Sequence, residues 1–131
     1  MIRINIVEKD ISTVAKVVLI DQSNRALFLK RSNYMEKFAG EWDLPGGHLK
    51  ANEDLISGLE RETKEETNLK VREPIFLLKA DNLNFFYAMY DSQKVILSDE
   101  HTEHKFFSKK ELDPKEKFQK IALLAIEKLE I

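Results

Sequence analysis

Two spacings of apolar residues alternate along this chain. Val14, Ala15, Val17, Val18, Leu19 and Ile20 form an almost unbroken apolar run, which predicts a buried strand over Thr13 to Ile20. The polar cluster Asp21-Gln22-Ser23-Asn24 predicts a turn, and Ala26 to Arg31 a second strand. Arg31 to Gly40 mixes apolar and charged residues and reads as a long loop able to hang over a site. Further on, Val71 to Ala80 and Phe85 to Tyr90 read as a hairpin across Asp81 to Asn84, and Glu103 to Phe107 as another strand. After the start signal Asp113-Pro114, Phe118, Ile121, Ala122, Ala125, Ile126 and Leu129 recur at helical spacing. Strands, helix, strands, helix is the order expected of an α/β fold with a mixed sheet between helices.

The middle helix carries the chemistry. On a wheel of about 100° per residue, with Glu62 at zero, Glu66 falls near 40° and Glu65 near −60°, so three carboxylates share a face. Ile56, Leu59 and Thr63 fall at roughly 60° to 120°, an apolar stripe that docks the helix beside its acidic stripe. Like charges at these spacings destabilise an isolated helix and call for a cation. Hard oxygen donors suit Mg²⁺ or Mn²⁺, and Arg61 can pair with a neighbouring carboxylate. An ordinary solvated acidic face would have no reason to hold Gly58, at a cost of about 1 kcal/mol against alanine. A close backbone approach, expected from the Gly46-Gly47 loop, supplies one. Asn52 is the expected N-cap and Asn68 the expected left-handed stop.

From Gly47 to Leu69 the sequence resembles the signature of the Nudix hydrolase family, G-x5-E-x7-R-E-U-x-E-E-x-G-U with U aliphatic. Gly47, Glu53, Arg61, Glu62, Glu65, Glu66 and Leu69 match it, while Thr63 stands at an aliphatic position and Asn68 at a glycine. The resemblance implies an α/β/α sandwich and a metal-dependent pyrophosphohydrolase that cleaves a nucleoside diphosphate linked to another moiety. It implies metal ligation by Glu62, Glu65 and Glu66 with the Gly46 carbonyl, a supporting contact from Glu53, an orienting role for Arg61, and a further carboxylate beyond the motif. For that last role the sequence offers Glu100 first and Glu103 second, in the polar stretch before Phe106-Phe107. His48, His101 and His104 lack a third ligand at zinc spacing and read as ordinary polar residues.

Substrate follows from departures. Glu36 and Leu44 replace an arginine and a phenylalanine of the coenzyme A subgroup pattern, and Asn84 stands where the ADP-ribose subgroup has proline. Tyr87 occupies the tyrosine position of dinucleoside polyphosphate hydrolases, which keeps that alternative open. The remaining expectation is a nucleoside triphosphate or related nucleotide, with Arg31 and Trp42 contacting phosphate and base. A nucleotide-binding regulatory domain without hydrolysis is the other class, disfavoured because every glutamate of the motif is present.

Composition narrows the setting. With 131 residues the chain is expected to be one domain. It has no Cys, excluding disulfides and thiolate zinc sites, and its apolar runs are too short to span a bilayer. No signal peptide is read at its start, so a cytoplasmic, small-molecule enzyme is expected, monomer or homodimer, without membrane partner. The 23 acidic and 21 basic residues interleave to a net charge of −2, unlike a nucleic-acid-binding surface.

Overall fold

The computed structural model describes residues 12–130. Strand β1 (Val14–Ile20) is buried throughout, as its run of apolar residues requires, and lies parallel to β6 (Leu83–Met89) from Val14↔Leu83 to Ile20↔Met89. Strand β5 (Ile75–Ala80) pairs antiparallel with β6 and forms an edge. On the other side β2 (Ala26–Arg31) pairs antiparallel with β7 (His101–Phe107). Between β1 and β2 the register is the hairpin pair Ile20↔Ala26, beyond which the two strands separate.

The chain between residues 42 and 48 fills that separation. Strand β3 (Trp42–Asp43) pairs with β2, and after the crossing at Leu44-Pro45 strand β4 (Gly46–His48) pairs with β1 through Ala15↔Gly47 and Lys16↔Gly46. One short segment thus joins both halves of a seven-stranded mixed sheet. The crossing brings Gly46 against β1 so closely that a Cβ there would lie 2.1 Å from the Ala15 carbonyl oxygen, at φ +125°. Only glycine fits.

Alternation along β1 sorts its side chains between two helices. Ala15, Val17 and Leu19 pack with Leu27, Leu29 and Phe86 beneath α1 (Leu55–Thr67), whose Leu59 enters this layer. Val18 and Ile20 pack with Phe28, Phe85 and Phe107 beneath α2 (Lys117–Glu130), through Ile121, Ala122, Ala125 and Ile126. This is the α/β/α sandwich expected. Among the described residues, no helix is long and apolar enough to cross a membrane.

Element boundaries differ from the sequence reading in informative places. Val71 is buried in the α1 layer ahead of the strand, and β5 begins only at Ile75, just past Pro74, which has no N–H to give a ladder. The β5–β6 turn is the pair Asp81-Asn82, with Asp81 at φ 55°, so Leu83 and Asn84 belong to β6. Strand β7 begins two residues early, at His101, opposite Arg31 across a register shift.

Gly46→Ala should destabilise the protein by more than about 2 kcal/mol, since both dihedral strain and a backbone clash oppose it. Gly47→Ala should cost less, because its Cβ would meet only the Glu62 side chain, at 2.6 Å. Urea unfolding of the two variants side by side checks the ranking.

Candidate active site

Helix α1 is capped by Asp54, not Asn52. The Asp54 carboxylate accepts from the Ser57 amide at 2.8 Å, while Asn52 sits at φ 66° in the preceding turn. Asn68 ends the helix as expected, left-handed at φ 63°, its amide donating to the Lys64 carbonyl. Gly58 is needed for a different neighbour than the loop expected: its absent Cβ leaves room for Leu49, 2.6 Å away, and for Glu53 Oε1. The Gly46-Gly47 loop instead meets the helix one turn later, where Gly47 clears the Glu62 carboxylate. Thr63, buried at the aliphatic position, leaves Oγ1 without a protein partner.

Arg61 gathers the surroundings of this acidic face. Its Nε and Nη2 clasp the Glu53 carboxylate at 2.8 and 3.0 Å, Nη2 also donates to the His48 carbonyl, and Nη1 reaches Glu62 and Glu65 at 3.2 Å each. The Arg61 guanidinium, helped by the Lys50 amide, holds the Glu53 carboxyl down to about 2, so Glu53 is a fixed anion. Arg61 is itself pushed further up, chiefly by Glu53. Arg61 and Glu53 thus form one hydrogen-bonded unit at the edge of the acidic face.

Glu62 and Glu66 face a cavity of about 570 Å³. Burial pushes the Glu66 carboxyl up to about 8, against the pull of Lys16 and of the Gly46 amide, which donates to Glu66 Oε1 at 2.9 Å. Burial also raises Glu62, with Arg61 opposing and the charges of Glu65 and Glu100 adding to the rise. Among the described residues no three acidic or histidine side chains form a ready-made metal cage. Arg61 and the Gly46 amide hold these oxygens meanwhile. The donor set still fits a hard divalent cation: two desolvated carboxylates whose anionic form the site disfavours gain most from a cation. Glu65 projects outward, its side chain 56% exposed, and does not line the cavity.

The floor holds a buried charge cluster that the sequence reading passed over. Lys16 Nζ, on β1, bonds Asp43 at 3.0 Å and the Leu44 carbonyl at 3.1 Å, pinning the strand crossing from below. Arg31 reaches the same Asp43 at 3.5 Å and donates through Nε to the Lys37 carbonyl. The available signal was Lys16 itself, the one charged residue in an otherwise apolar strand. Arg31 and Trp42 line the cavity, joined by Met35, Lys37 and Phe38 from the 32–41 loop and Phe118 from the start of α2. Tyr87 does not: partly buried, it packs against the α2 layer of the core, paired with Val18, so the expected contact is corrected.

Glu100 lines the cavity, and Glu103 does not, being paired with Lys30 across the β2–β7 ladder. His101 is buried, its imidazole pulled down by desolvation, and His104 stands edge-on to Phe106. His48 lines the cavity and gives its carbonyl to Arg61.

The architecture has counterparts. A family model described as NUDIX domain matches residues 11–127. The chain is 36% identical over 61 residues to the m7GpppN-mRNA hydrolase NUDT17 of Xenopus laevis, a stretch covering 46% of this chain and 21% of that protein. The chain thus spans about a fifth of that relative. Among solved structures, the MutT protein of Methanosarcina mazei Go1 superposes with a TM-score of 0.70 at 23% identity, covering 91% of this chain and 94% of that one. A C. elegans Ap4A hydrolase superposes with a TM-score of 0.68 at 22% identity over 91% and 96%. At these identities the two structures establish the shared fold.

Glu66 generates a pH dependence. Its folded pKa of about 8 lies above the ordinary 4.5, so between those values the folded protein keeps a proton that the unfolded chain has lost. In the absence of divalent cations, stability should be fully expressed below about pH 4.5 with respect to this group and should decline, by at most a few kcal/mol, as pH rises through 8. Glu66→Gln should flatten that decline in urea unfolding with EDTA, and Mg²⁺ should stabilise the parent more at pH 8 than at pH 6. A Gln variant that declines as steeply as the parent would assign the dependence to another group.

Proposed function

The chain belongs to the Nudix family, and on that premise we propose that it is a metal-dependent pyrophosphohydrolase acting on a nucleoside triphosphate or a related nucleotide. The observation that carries this reading is a cavity with a mixed lining. Glu62, Glu66 and Glu100 supply carboxylates, Arg31 and Lys37 supply cations, and Trp42, Phe38 and Phe118 supply aromatic faces. A polyphosphate needs cations and a base needs aromatic faces, and here both sit within one enclosure.

Glu62 and Glu66, with Gly46 beside them, are the residues that would hold Mg²⁺ or Mn²⁺, and Glu65 joins them if its side chain turns from Arg61. The bound cation would polarise the phosphates and lower the pKa of a coordinated water. The protein's own part is positional. Arg61 and Glu53 keep the carboxylates on one side, the Gly46 amide fixes one Glu66 oxygen, and Arg31 supplies a forked donor for a phosphate. Glu100, which lines the same cavity, supplies a carboxylate oxygen able to accept the proton of the attacking water. Trp42 and Phe38 flank the space for a base. Tyr87 was the residue supporting a dinucleoside polyphosphate, and its place outside the cavity, against the α2 layer, withdraws that support.

Hydrolysis should disappear with EDTA and return with Mg²⁺ or Mn²⁺; turnover that survives thorough chelation defeats the proposal. Nucleoside triphosphates, dinucleoside polyphosphates, ADP-ribose and a cap analogue, compared by product mass, test the substrate class. Glu62→Gln and Glu66→Gln should each lower kcat by roughly a hundredfold or more. Glu100→Gln should reduce kcat at least roughly tenfold, about 1.4 kcal/mol of transition-state stabilisation, with a smaller change in KM. Glu103→Gln should stay near the parent. The reverse ranking would move the role to Glu103.

A further inference from the structure

Glu100 is an exposed residue on a short turn, yet its backbone is tied on both sides. On one side the Ile96 amide donates to the Thr67 carbonyl at 2.9 Å and the Ser98 amide to the Glu66 carbonyl at 3.1 Å. The segment before Glu100 thereby satisfies carbonyls that the last turn of α1 leaves without helical partners. The His101 amide then returns to the Ser98 carbonyl at 3.2 Å, closing a turn with Glu100 inside it. On the other side stands the chain just after β2. The Ser32 amide donates to the Glu100 carbonyl at 2.8 Å, the Ser32 hydroxyl donates to the Asp99 carbonyl at 2.8 Å, and the Tyr34 hydroxyl donates to that same carbonyl.

Two hydroxyls converging on one backbone oxygen ask for an explanation. Ser32 is only 2% exposed, and a buried hydroxyl gains little over an apolar side chain unless its hydrogen bond has a purpose. Tyr34 is 66% exposed, so its ring contributes little to the core and its hydroxyl is its main link to the fold. We propose that Ser32 and Tyr34 are positioning residues for Glu100: they hold the Asp99-Glu100 backbone so that the carboxylate stays in the lining of the cavity that Glu62 and Glu66 share. This rests on reading Glu100 as the proton-accepting carboxylate. Neither hydroxyl lines the cavity, so neither is placed to touch substrate. Their loss lets the turn wander and lowers the fraction of molecules with Glu100 in place, which reduces kcat. KM, set by Arg31, Trp42 and the metal-holding carboxylates, is left nearly unchanged.

Two measurements on Ser32→Ala, Tyr34→Phe and the double variant test the inference. Amide hydrogen exchange, read by mass spectrometry without substrate, should quicken across residues 98–101 in the double variant while Leu59 to Thr63 of α1 keeps its protection. Unchanged exchange at 98–101 overturns the tether. In steady-state kinetics with saturating Mg²⁺ and the nucleoside triphosphate most rapidly hydrolysed, each single variant should lose roughly fivefold in kcat, the worth of about one net hydrogen bond. The double variant should approach Glu100→Gln, and adding both substitutions to Glu100→Gln should cause no further loss. Losses that multiply in that background show that the hydroxyls act elsewhere and overturn the inference. An impaired Glu100→Gln beside a double variant with parental kcat also overturns it, leaving the role of Glu100 intact. A parental Glu100→Gln removes Glu100 from the reaction, and exchange at 98–101 then reports separately whether the tether exists.

Discussion

The separation of β1 from β2 is the constraint on which the site depends. The two strands share a hairpin and then part, and a sheet left open there would present unpaired amides and carbonyls to its own interior. Residues 42–48 close the gap by serving both strands in turn, and the Val17 amide, donating to the Pro45 carbonyl at 3.0 Å, secures the crossing itself. A segment that must change partners within so few residues has little conformational choice. Pro45 and Gly46 answer that demand, and the same demand directs the Gly46 amide at Glu66. The turn that completes the sheet is therefore also the turn that orients the acid.

Electrostatics follows from this geometry. Glu66 is enclosed because the crossing covers it, and enclosure raises its proton affinity. Lys16 is enclosed because it lies beneath the same crossing, and it divides its donors between Asp43 and the Leu44 carbonyl. Removing Asp43 would leave the buried Lys16 ammonium without the carboxylate it pairs with, while removing Lys16 would leave Asp43 to the longer contact with Arg31, so the pair is energetically joined. Arg61 performs the corresponding task at the rim, where solvent weakens each of its ion pairs and their number compensates.

How much of this the sequence disclosed depended on whether a feature was local or long-range. That Glu62 and Glu66 share a face of α1 was legible because helical periodicity fixes which residues are neighbours, and the buried face of α2 was legible for the same reason; periodicity did not show that Glu65, at the edge of that face, turns outward to Arg61. The Gly58 conflict was visible too, although the side chain it accommodates, Leu49, was not. The N-cap shifted from Asn52 to Asp54 because both residues are competent caps and only the path of the incoming chain selects between them. Tyr87 looked like a contact by its distance along the chain, but strand alternation and the pairing with Val18 turn it into the α2 layer. Ser32, Tyr34 and Asp43 carry no periodic signal. Their importance arises from partners brought together by the strand order.

The hydrogen bonds from Ile96 and Ser98 into the end of α1 also bear on how the molecule is assembled. A helix normally closes on local contacts, in a time short compared with the docking of distant segments. Here the final turn of α1 acquires two of its donors from a stretch that follows both strands of the β5–β6 hairpin, so these bonds form only when the chain between Thr67 and Ile96 has closed back on the helix. Loop closure over such a separation is entropically costly and comes late. The carboxylates of α1 are set by contacts within the helix, whereas the turn that carries Glu100 is set by contacts distant in the chain. Opening the segment between Thr67 and Ile96 would leave the first in place and release the second.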